Sequence, residues 1–246
     1  MAVSRESPEY AQGAMAFIER VELLARLDDV TSAMEQALAP FGIESFIVTA
    51  LPTKEQPFEG LVMASRWPAE FFARYVEDHY AQCDPLSRRG MRSHMPFEWD
   101  AESYQTHADP RVVEMMFRAA ASGLRHGYFV PIHGPGGEEG CVSMAAASLD
   151  LSDVSKASLH LIALYAFDRM RRLRGPLLGK RIQLTPRERE VLTWAARGKS
   201  ASEIGRALHI SKRTVDEHTQ TATRKLGAAN RTQAVVIALR DRIIDP

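Results

Sequence analysis

The last quarter of the chain carries the most regular pattern of apolar and polar positions, and it predicts four short helices in succession. A capping residue precedes each helix, and apolar residues then recur along one side of it. Only residues 209–211 separate the second helix from the third, which is the turn length of a helix-turn-helix. The capping residues are Thr185 with Glu188, Ser200 with Glu203, Ser211, and Asn230 with Gln233, and the apolar positions include Val191, Ile204, Val215 and Leu226.

The first three quarters of the chain mix helical and strand periodicities. The strands fall in pairs, with helices before, between and after them, which is typical of an antiparallel sheet covered on both faces. Helices are predicted at 14–38 with a break near 28–29, at 68–82, 110–123 and 153–172, and strands at 41–51, 60–64, 127–133 and 141–147. The predicted fold class is therefore α+β. An N-terminal α–β–α sandwich with an antiparallel sheet (residues 1–173) is followed by a linker (174–183) and a C-terminal all-α four-helix helix-turn-helix domain (184–246).

Charge divides the chain at the same place. The whole sequence is neutral, with 31 Lys and Arg against 31 Asp and Glu. Residues 176–246 hold 14 of the basic and 7 of the acidic residues, a balance of +7, so residues 1–175 hold 17 and 24, a balance of −7. A basic helical domain behind an acidic one favours double-stranded DNA as the partner of the C-terminal domain.

Composition is that of an ordinary soluble protein with two modest domains, at 246 residues, 45% hydrophobic and 25% charged. The start of the sequence lacks the apolar core of a secretory signal, and no apolar run approaches the roughly 18 residues of a membrane span. Cys83 and Cys141 show no metal-ligand spacing and fit a reduced compartment. We therefore expect a cytoplasmic protein with no membrane association, no metal and no cofactor.

The third helix of the C-terminal domain presents side chains suited to the major groove. If Val215 faces the core, the opposite face at 100° per residue is polar. Arg can pair there with guanine, Gln with adenine, and Glu can accept from the cytosine amino group. The alternative is a solvated face of a helical bundle, and the basic charge balance favours DNA over it. The polar face consists of Arg213, Glu217, Gln220 and Arg224, and it is flanked by Lys199, Lys212, Lys225 and Arg231, which are in position to reach phosphates.

This stretch resembles the DNA-binding domain of LuxR-type transcriptional regulators. It has the family's LTPRE start, GK after the first helix, EI in the second, ISKRTVDEH into the third and KL at its end. The resemblance implies a homodimer that binds a palindromic promoter site, with RNA polymerase as a candidate partner. The residues expected to contact DNA are Lys199, Lys212, Arg213, Thr214, Glu217, His218, Gln220 and Arg224.

Aromatic residues and one carboxylate are concentrated between residues 67 and 99. Trp67, Phe71 and Tyr75 share one helix face at i, i+4 and i+8. Asp84 follows Tyr75 by nine positions, and Trp99 follows Asp84 by fifteen. The ordinary interpretation is an aromatic core stripe, with Asp84 before a proline as a turn or cap residue.

The same spacing resembles the ligand-binding domain of LuxR-type quorum-sensing receptors, which bind N-acyl-homoserine lactones. Gly127 and Ser143 also lie at positions that match the family pattern. The resemblance implies that Asp84 accepts the ligand amide N–H, that Tyr75 and Ser143 donate to the acyl carbonyl, and that Trp99 packs against the lactone ring. An apolar pocket with a few convergent polar groups suits such an amphiphile.

One position departs from the family pattern. The family has a Trp where this chain has Phe71, and the indole N–H of that Trp meets the lactone carbonyl. Trp67, one turn earlier, is a candidate replacement donor. The predicted ligand is therefore an N-acyl or aryl homoserine lactone, bound by Trp67, Phe71, Tyr75, Asp84, Trp99 and Ser143, and the alternative is a non-lactone amide or related signal.

Three further alternatives concern the class of function. Cys141 or Ser143 with His126 or His133 and a carboxylate would make a hydrolase, but the histidines fit a strand and a turn better, so the chain is predicted not to be an enzyme. A second alternative is that the N-terminal domain docks a protein partner and uses no small molecule. A third is that the chain binds DNA only in the absence of ligand. The main hypothesis is that ligand stabilises the folded N-terminal domain, which dimerises through the helix at 153–172.

Overall fold

The computed structural model describes residues 7–50, 57–134, 137–175, 184–240 and 243–245. Contacts divide the chain into two compact units, and residues 178–246 belong to the second. Each unit is described by itself. Of the predicted linker, residues 176–183 lie outside the described residues.

The N-terminal unit alternates helices with the strands of one sheet. Its helices are α1 (Ser7–Val21), α2 (Leu27–Leu38), α3 (Ala69–Glu77), α4 (Pro85–Gly90), α5 (Pro110–Ala121) and α6 (Asp153–Arg174). Its strands are β1 (Ser45–Ala50), β2 (Val62–Ser65), β3 (Phe97–Asp100), β4 (His126–Gly134) and β5 (Gly137–Ala146). Short 3-10 turns lie at Ala39–Phe41, Phe58–Leu61, Tyr80–Gln82 and Glu102–Tyr104.

The five strands form one sheet in the order β2-β1-β5-β4-β3. The pairs β1–β2, β1–β5 and β3–β4 are antiparallel, which confirms that the sheet is of the predicted antiparallel kind. Ile47 is directly opposite Ser143, and Thr49 is opposite Cys141, so these four side chains share one face of the sheet. Side chains alternate along a strand, so the neighbouring β1 residues face the other side.

Two separate cores cover the two faces of the sheet, which confirms the predicted α–β–α sandwich. One core contains Phe46 and Val48 of β1 and the apolar sides of α1, α2 and α6, with Ile162 and Ala166 fully buried. The other contains residues of α3, α4 and α5 with β3. Its members include Phe71, Tyr75, Leu86, Trp99, Met115 and Met116.

Several boundaries differ from the sequence expectation. The long N-terminal helix breaks at 22–26 and not at 28–29, because Asp28 and Asp29 are in the first turn of α2, where acidic side chains favour the helix dipole. The helix predicted at 68–82 stops at Glu77, and His79 adopts a left-handed conformation (φ 53°) immediately after it. Helix α4 and strand β3, six and four residues long, were not predicted.

The C-terminal unit has the four predicted helices, α7 (Pro186–Ala196), α8 (Ala201–Leu208), α9 (Lys212–Lys225) and α10 (Arg231–Arg240). Both capping boxes are present, and Ser211 caps α9 through the amide of Thr214. The turn between α8 and α9 is tight, since Ile210 N–H donates to Gly205 O (2.9 Å). A Cβ on Gly205 would lie 2.7 Å from the carbonyl oxygen of Ile210, so this turn requires glycine. None of the described helices in either unit is long and apolar enough to cross a membrane.

Candidate functional site

A pocket lies inside the N-terminal unit, between the sheet and helices α3, α4 and α5. Its floor is the sheet face that carries Ile47, Thr49, Cys141 and Ser143, and its other walls are mostly apolar and aromatic. All six residues predicted to contact the ligand line this one pocket: Trp67, Phe71, Tyr75, Asp84, Trp99 and Ser143. The structure therefore brings together side chains that are 76 positions apart between Trp67 and Ser143 (143 − 67).

Asp84 is the polar centre of the pocket and also the N-cap of α4. Its Oδ1 accepts from the amide of Leu86 (2.8 Å), and its Oδ2 accepts from the Tyr75 hydroxyl (2.8 Å) and the Ser87 hydroxyl (3.2 Å). The residue is only 7% exposed. A buried carboxylate is tolerable with this number of donors, and the two predictions for Asp84, cap and pocket residue, apply together.

Burial and hydrogen bonding oppose each other at this pair. Burial raises the pKa of Asp84, although the hydrogen bonds from Tyr75, Leu86 and Ser87 favour its charged form. Burial, followed by the charge of Asp84, raises the pKa of Tyr75 well above its ordinary value. Tyr75 therefore keeps its proton, and that one proton is donated to Asp84. Tyr75 can donate to an acyl carbonyl only if its hydroxyl leaves the Asp84 carboxylate, and a ligand N–H then has to donate to that carboxylate in place of the hydroxyl.

The aromatic residues form one packed group around Tyr75. The centroid of the Trp67 ring lies 5.2 Å from the ring centroids of both Phe71 and Tyr75, and the Phe58 centroid lies 4.8 Å from that of Tyr75. Phe71 is buried, whereas Trp67 is partly exposed. The aromatic stripe of Trp67, Phe71 and Tyr75 therefore belongs to the apolar core and also lines the pocket.

Trp99 and Gly127 form a fixed pair on neighbouring strands. They are directly opposite each other in the β3–β4 register. A Cβ on Gly127 would lie 2.3 Å from Cε2 of the Trp99 indole and 2.3 Å from the carbonyl oxygen of Met144. Glycine is required here because the indole packs directly against the β4 backbone. The buried Nε1 of Trp99 has no hydrogen-bond partner within the described residues.

The pocket also contains residues that sequence reasoning missed. Ser87 lines it and donates to Asp84, and its position three residues after the cap was the available signal. Met115 and Met116 of α5 and Phe129 of β4 belong to ordinary helical and strand patterns, so the sequence alone gave no sign that they face a pocket. Neither His126 nor His133, the two histidines of the hydrolase alternative, is among the described residues that line the pocket.

The outer face of α9 is the candidate nucleic-acid interface. Val215 is completely buried against Val191 and Ile204, as the face prediction assumed. Arg213 forms an exposed ion pair with Glu217 one turn later (3.1 Å). Of the residues predicted to contact DNA, the exposed ones are Lys199, Lys212, Arg213, Glu217, Gln220 and Arg224, and the partly buried ones are Thr214 and His218.

Lys225, which was predicted to be able to reach a phosphate, has a partner within its own unit. Its Nζ lies 2.8 Å from both carboxylate oxygens of Glu188. Glu188 is 4% exposed and also accepts from the Thr185 amide (2.9 Å). The lysine therefore fixes the end of α9 to the start of α7. Among the described residues, no group of His, Cys, Asp or Glu is arranged to hold a metal ion.

Two protein families match the sequence in the same order as the two units. Residues 26–170 match the autoinducer binding domain, and residues 182–238 match the luxR family of bacterial regulatory proteins. The transcriptional activator protein BjaR1 of Bradyrhizobium diazoefficiens is 46% identical over 238 residues, which cover 97% of this chain and 98% of that protein. The quorum sensing-dependent transcriptional regulator RpaR of Rhodopseudomonas palustris is 38% identical over 234 residues, covering 95% and 96%.

Solved structures share the fold of the whole chain. Escherichia coli SdiA matches with a TM-score of 0.77 at 21% identity, covering 95% of this chain and 98% of that chain. SdiA in complex with octanoyl-rac-glycerol matches with a TM-score of 0.76 at 21% identity, covering 98% and 97%. At 21% identity, this likeness establishes the fold alone.

Proposed function

This chain belongs to the LuxR family of quorum-sensing transcriptional regulators, and we propose that it binds an N-acyl or aryl homoserine lactone and then a palindromic promoter site as a homodimer. The family consists of regulators and not enzymes. Because such a regulator acts on chromosomal DNA, a cytoplasmic location is part of the proposal. The domain limits proposed are 1–173 for signal binding and 184–246 for DNA binding.

The observation that carries the ligand proposal is the buried Tyr75–Asp84 pair in an otherwise apolar pocket. An acyl amide has one N–H donor beside one carbonyl acceptor. The pair is complementary to it, because the Asp84 carboxylate can accept from the N–H and the Tyr75 hydroxyl can donate to the carbonyl. The N–H displaces the Tyr75 hydroxyl from Asp84, and the freed hydroxyl turns to the carbonyl. Ser143 lines the same pocket and supplies a second hydroxyl for that carbonyl.

The alternative ligand is a small molecule without a lactone. It is supported by Phe71, which lines the pocket but offers no donor for a lactone carbonyl. A protein partner in place of a small molecule is less favoured, because five of the six predicted contact residues are buried inside the unit and only Trp67 is partly exposed.

Thermal unfolding of the full chain tests the ligand proposal. The panel comprises N-butanoyl-, N-hexanoyl-, N-octanoyl- and N-cinnamoyl-homoserine lactone, with octanoylglycerol as a non-lactone acyl compound. At a ligand concentration of ~100 times Kd, binding to the folded state alone contributes about 2.7 kcal/mol, and a clear rise in Tm is expected. A rise only with octanoylglycerol would favour the alternative, and no rise with any compound would overturn the small-molecule proposal.

Asp84→Ala has a matched control in the same unit. Asp84 precedes Pro85 and caps α4, and Asp109 precedes Pro110 and caps α5 through the Arg111 amide (3.0 Å). Both substitutions remove a cap, which costs about 0.5–2 kcal/mol. Only Asp84→Ala should abolish the ligand-dependent rise in Tm, because Asp109 is outside the pocket. Equal responses of the two variants would show that Asp84 does not contact the ligand.

The DNA proposal rests on the exposed outer face of α9. Arg224 is exposed there, and Arg189 is an exposed arginine of α7, so replacing either with Ala removes the same charge. Losing a base contact costs about 1–3 kcal/mol, so Arg224→Ala should weaken binding to the target site by roughly 10- to 100-fold. Arg189→Ala should change affinity much less. Unchanged affinity of the Arg224 variant in a gel-shift titration at fixed salt would count against the face assignment.

Helix α6 supplies the surface proposed for dimerisation. Val154, Leu161 and Tyr165 are between 36% and 39% exposed and recur along one side of this helix. The opposite side of α6 is buried in the core, so the exposed apolar side is free to pair with a second copy. A two-fold dimer presents two α9 helices to half-sites about one turn of DNA apart.

A further inference from the structure

We propose that the indole N–H of Trp99 donates a hydrogen bond to the carbonyl oxygen of the ligand's lactone ring. The inference rests on the proposed function, since it assigns a role within the same pocket. It gives this chain a donor for the head group at a position other than that of Phe71.

The first support is the unpartnered donor itself. Trp99 is 8% exposed and lines the pocket, and its Nε1 has no acceptor within the described residues. An indole nitrogen can only donate. A buried donor without an acceptor is unfavourable, and native structures almost always supply a partner. A ligand carbonyl in the pocket supplies one.

The second support is the rigidity of the indole. The Trp99 ring packs on Gly127, where a Cβ would come within 2.3 Å of Cε2, the carbon bonded to Nε1. The strand register also places Trp99 opposite Gly127. The N–H edge of the ring is therefore held against the β4 backbone at the pocket wall, and little side-chain freedom is lost when an acceptor binds.

The third support is the distribution of the remaining polar groups. Asp84, Tyr75 and Ser143 are assigned to the amide and acyl carbonyl, which leaves the ring carbonyl as the one carbonyl of an acyl-homoserine lactone without a donor. Phe71 has no N–H. Trp67 is the other candidate, but it is partly exposed and its ring packs against Phe71 and Tyr75.

A pair of matched ligands separates this hydrogen bond from packing. The first is the homoserine lactone of the panel that raises Tm most in the wild type, and the second is the 3-aminotetrahydrofuran amide with the same acyl group, which keeps the ring and the amide but lacks the ring carbonyl. Trp99→Phe removes the N–H and keeps an aromatic ring. We expect the full-length variant to bind the lactone about 10-fold more weakly, or about 1.4 kcal/mol, and the tetrahydrofuran amide with unchanged affinity. Trp194→Phe, a control in the C-terminal unit outside the pocket, should leave both affinities close to those of the wild type. A selective loss of lactone affinity in Trp67→Phe would overturn the inference by assigning the donor to Trp67.

A measurement on the unmodified chain does not depend on the variant folding. The sequence has three Trp residues, so the ¹H–¹⁵N spectrum has three indole N–H signals, and the one that remains in both Trp67→Phe and Trp194→Phe belongs to Trp99. The lactone should shift that signal downfield, and the tetrahydrofuran amide should not. Equal loss of affinity for both ligands in Trp99→Phe, or no difference between the two ligands in the spectrum, would overturn the inference while leaving lactone binding intact. Absence of binding of every lactone to the wild type would instead overturn the proposed function, and this inference with it.

Discussion

The ion pair between the buried Glu188 and the partly exposed Lys225 gives the sharpest prediction for the C-terminal unit. Glu188 belongs to the capping box of α7, and Lys225 is the last residue of α9. The lysine Nζ donates to both carboxylate oxygens at 2.8 Å. Changing Glu188 to Gln keeps the shape of the side chain and removes its charge, so the variant tests whether this pair holds the two helices together.

The size of the effect follows from the contacts. Hydrogen bonds to a charged group contribute about 1.5–3 kcal/mol, and breaking a fully buried ion pair costs about 3–5 kcal/mol. The Lys225 side chain is 35% exposed, so it can turn partly to water when its partner is neutral, which lowers the cost. The Gln oxygen can also retain one acceptor role. We therefore expect a loss of about 2–3 kcal/mol, and hence a fall of roughly 30- to 150-fold in the hydrogen-exchange protection of residues 184–226.

Glu203→Gln is the matched control. Glu203 has the same role in the capping box of α8, but it is solvent-accessible, and its nearest cation, Lys199, lies at 3.7 Å. Hydrogen exchange measured by mass spectrometry on the full chain resolves both units, and peptides from residues 1–173 should be unchanged in both variants. Similar losses of protection in the two variants would refute the reasoning, because the buried pair would then add nothing to an ordinary cap.

The same pair predicts a dependence on pH. Burial acts to raise the pKa of Glu188, but the Lys225 ammonium and the Thr185 amide together hold that pKa below its ordinary value of 4.5. A lowered pKa in the folded state means that the stabilisation is complete above about pH 4.5 and is lost as the pH falls through the folded-state pKa. The difference in protection between the wild type and Glu188→Gln should therefore be constant above about pH 4.5 and shrink as the pH falls below that value. A difference that grew on acidification would contradict this assignment.

Three further predictions concern other parts of the chain. Gly127→Ala should destabilise the N-terminal unit by about 1–3 kcal/mol in thermal unfolding, because the added methyl overlaps the Trp99 ring and a sheet carbonyl, whereas Gly13→Ala in open space on α1 should stabilise by about 0.5–1 kcal/mol. Leu161→Lys on the exposed side of α6 should give a monomer by light scattering that still shows a ligand-dependent rise in Tm, and a persistent dimer would place the interface elsewhere. Lys212→Ala should reduce the slope of log Kd against log salt by about one while leaving the preferred site unchanged.

The fold of the C-terminal unit could be predicted because its signals are local. Each helix start depends on a side chain and an amide three residues apart, as in Thr185 with Glu188, and the structure contains these contacts. The buried side of α9 follows from Val215 and the helical period. The role of Lys225 could not be predicted in this way, because its partner is 37 positions away and a terminal lysine on a DNA-binding helix is ordinarily solvated.

In the N-terminal unit, long elements were predictable and short ones were not. Helix α4 has six residues and β3 has four, so neither is long enough for a helical or a strand periodicity of apolar residues to be recognised in the sequence. The signal for α4 was Asp84 followed by proline, the same pattern that located α5 at Asp109. The set of pocket residues could be predicted because their spacing matches the family pattern. The hydrogen bond from the Tyr75 hydroxyl to Asp84 could be found only from the structure.

Asp84 links ligand binding to folding within one side chain. It caps α4 through Leu86, ties α4 to α3 through Tyr75, and is the acceptor proposed for the ligand. A ligand N–H that replaces the Tyr75 hydroxyl therefore acts on a contact that already holds two helices over the sheet. Domains of this size are stable by only about 5–15 kcal/mol, so the roughly 2.7 kcal/mol contributed by ligand at ~100 times Kd changes the folded-to-unfolded ratio by about 100-fold. A receptor with its pocket in its core can thus couple signal concentration to the amount of folded, dimer-competent protein without any change of conformation in the DNA-binding unit.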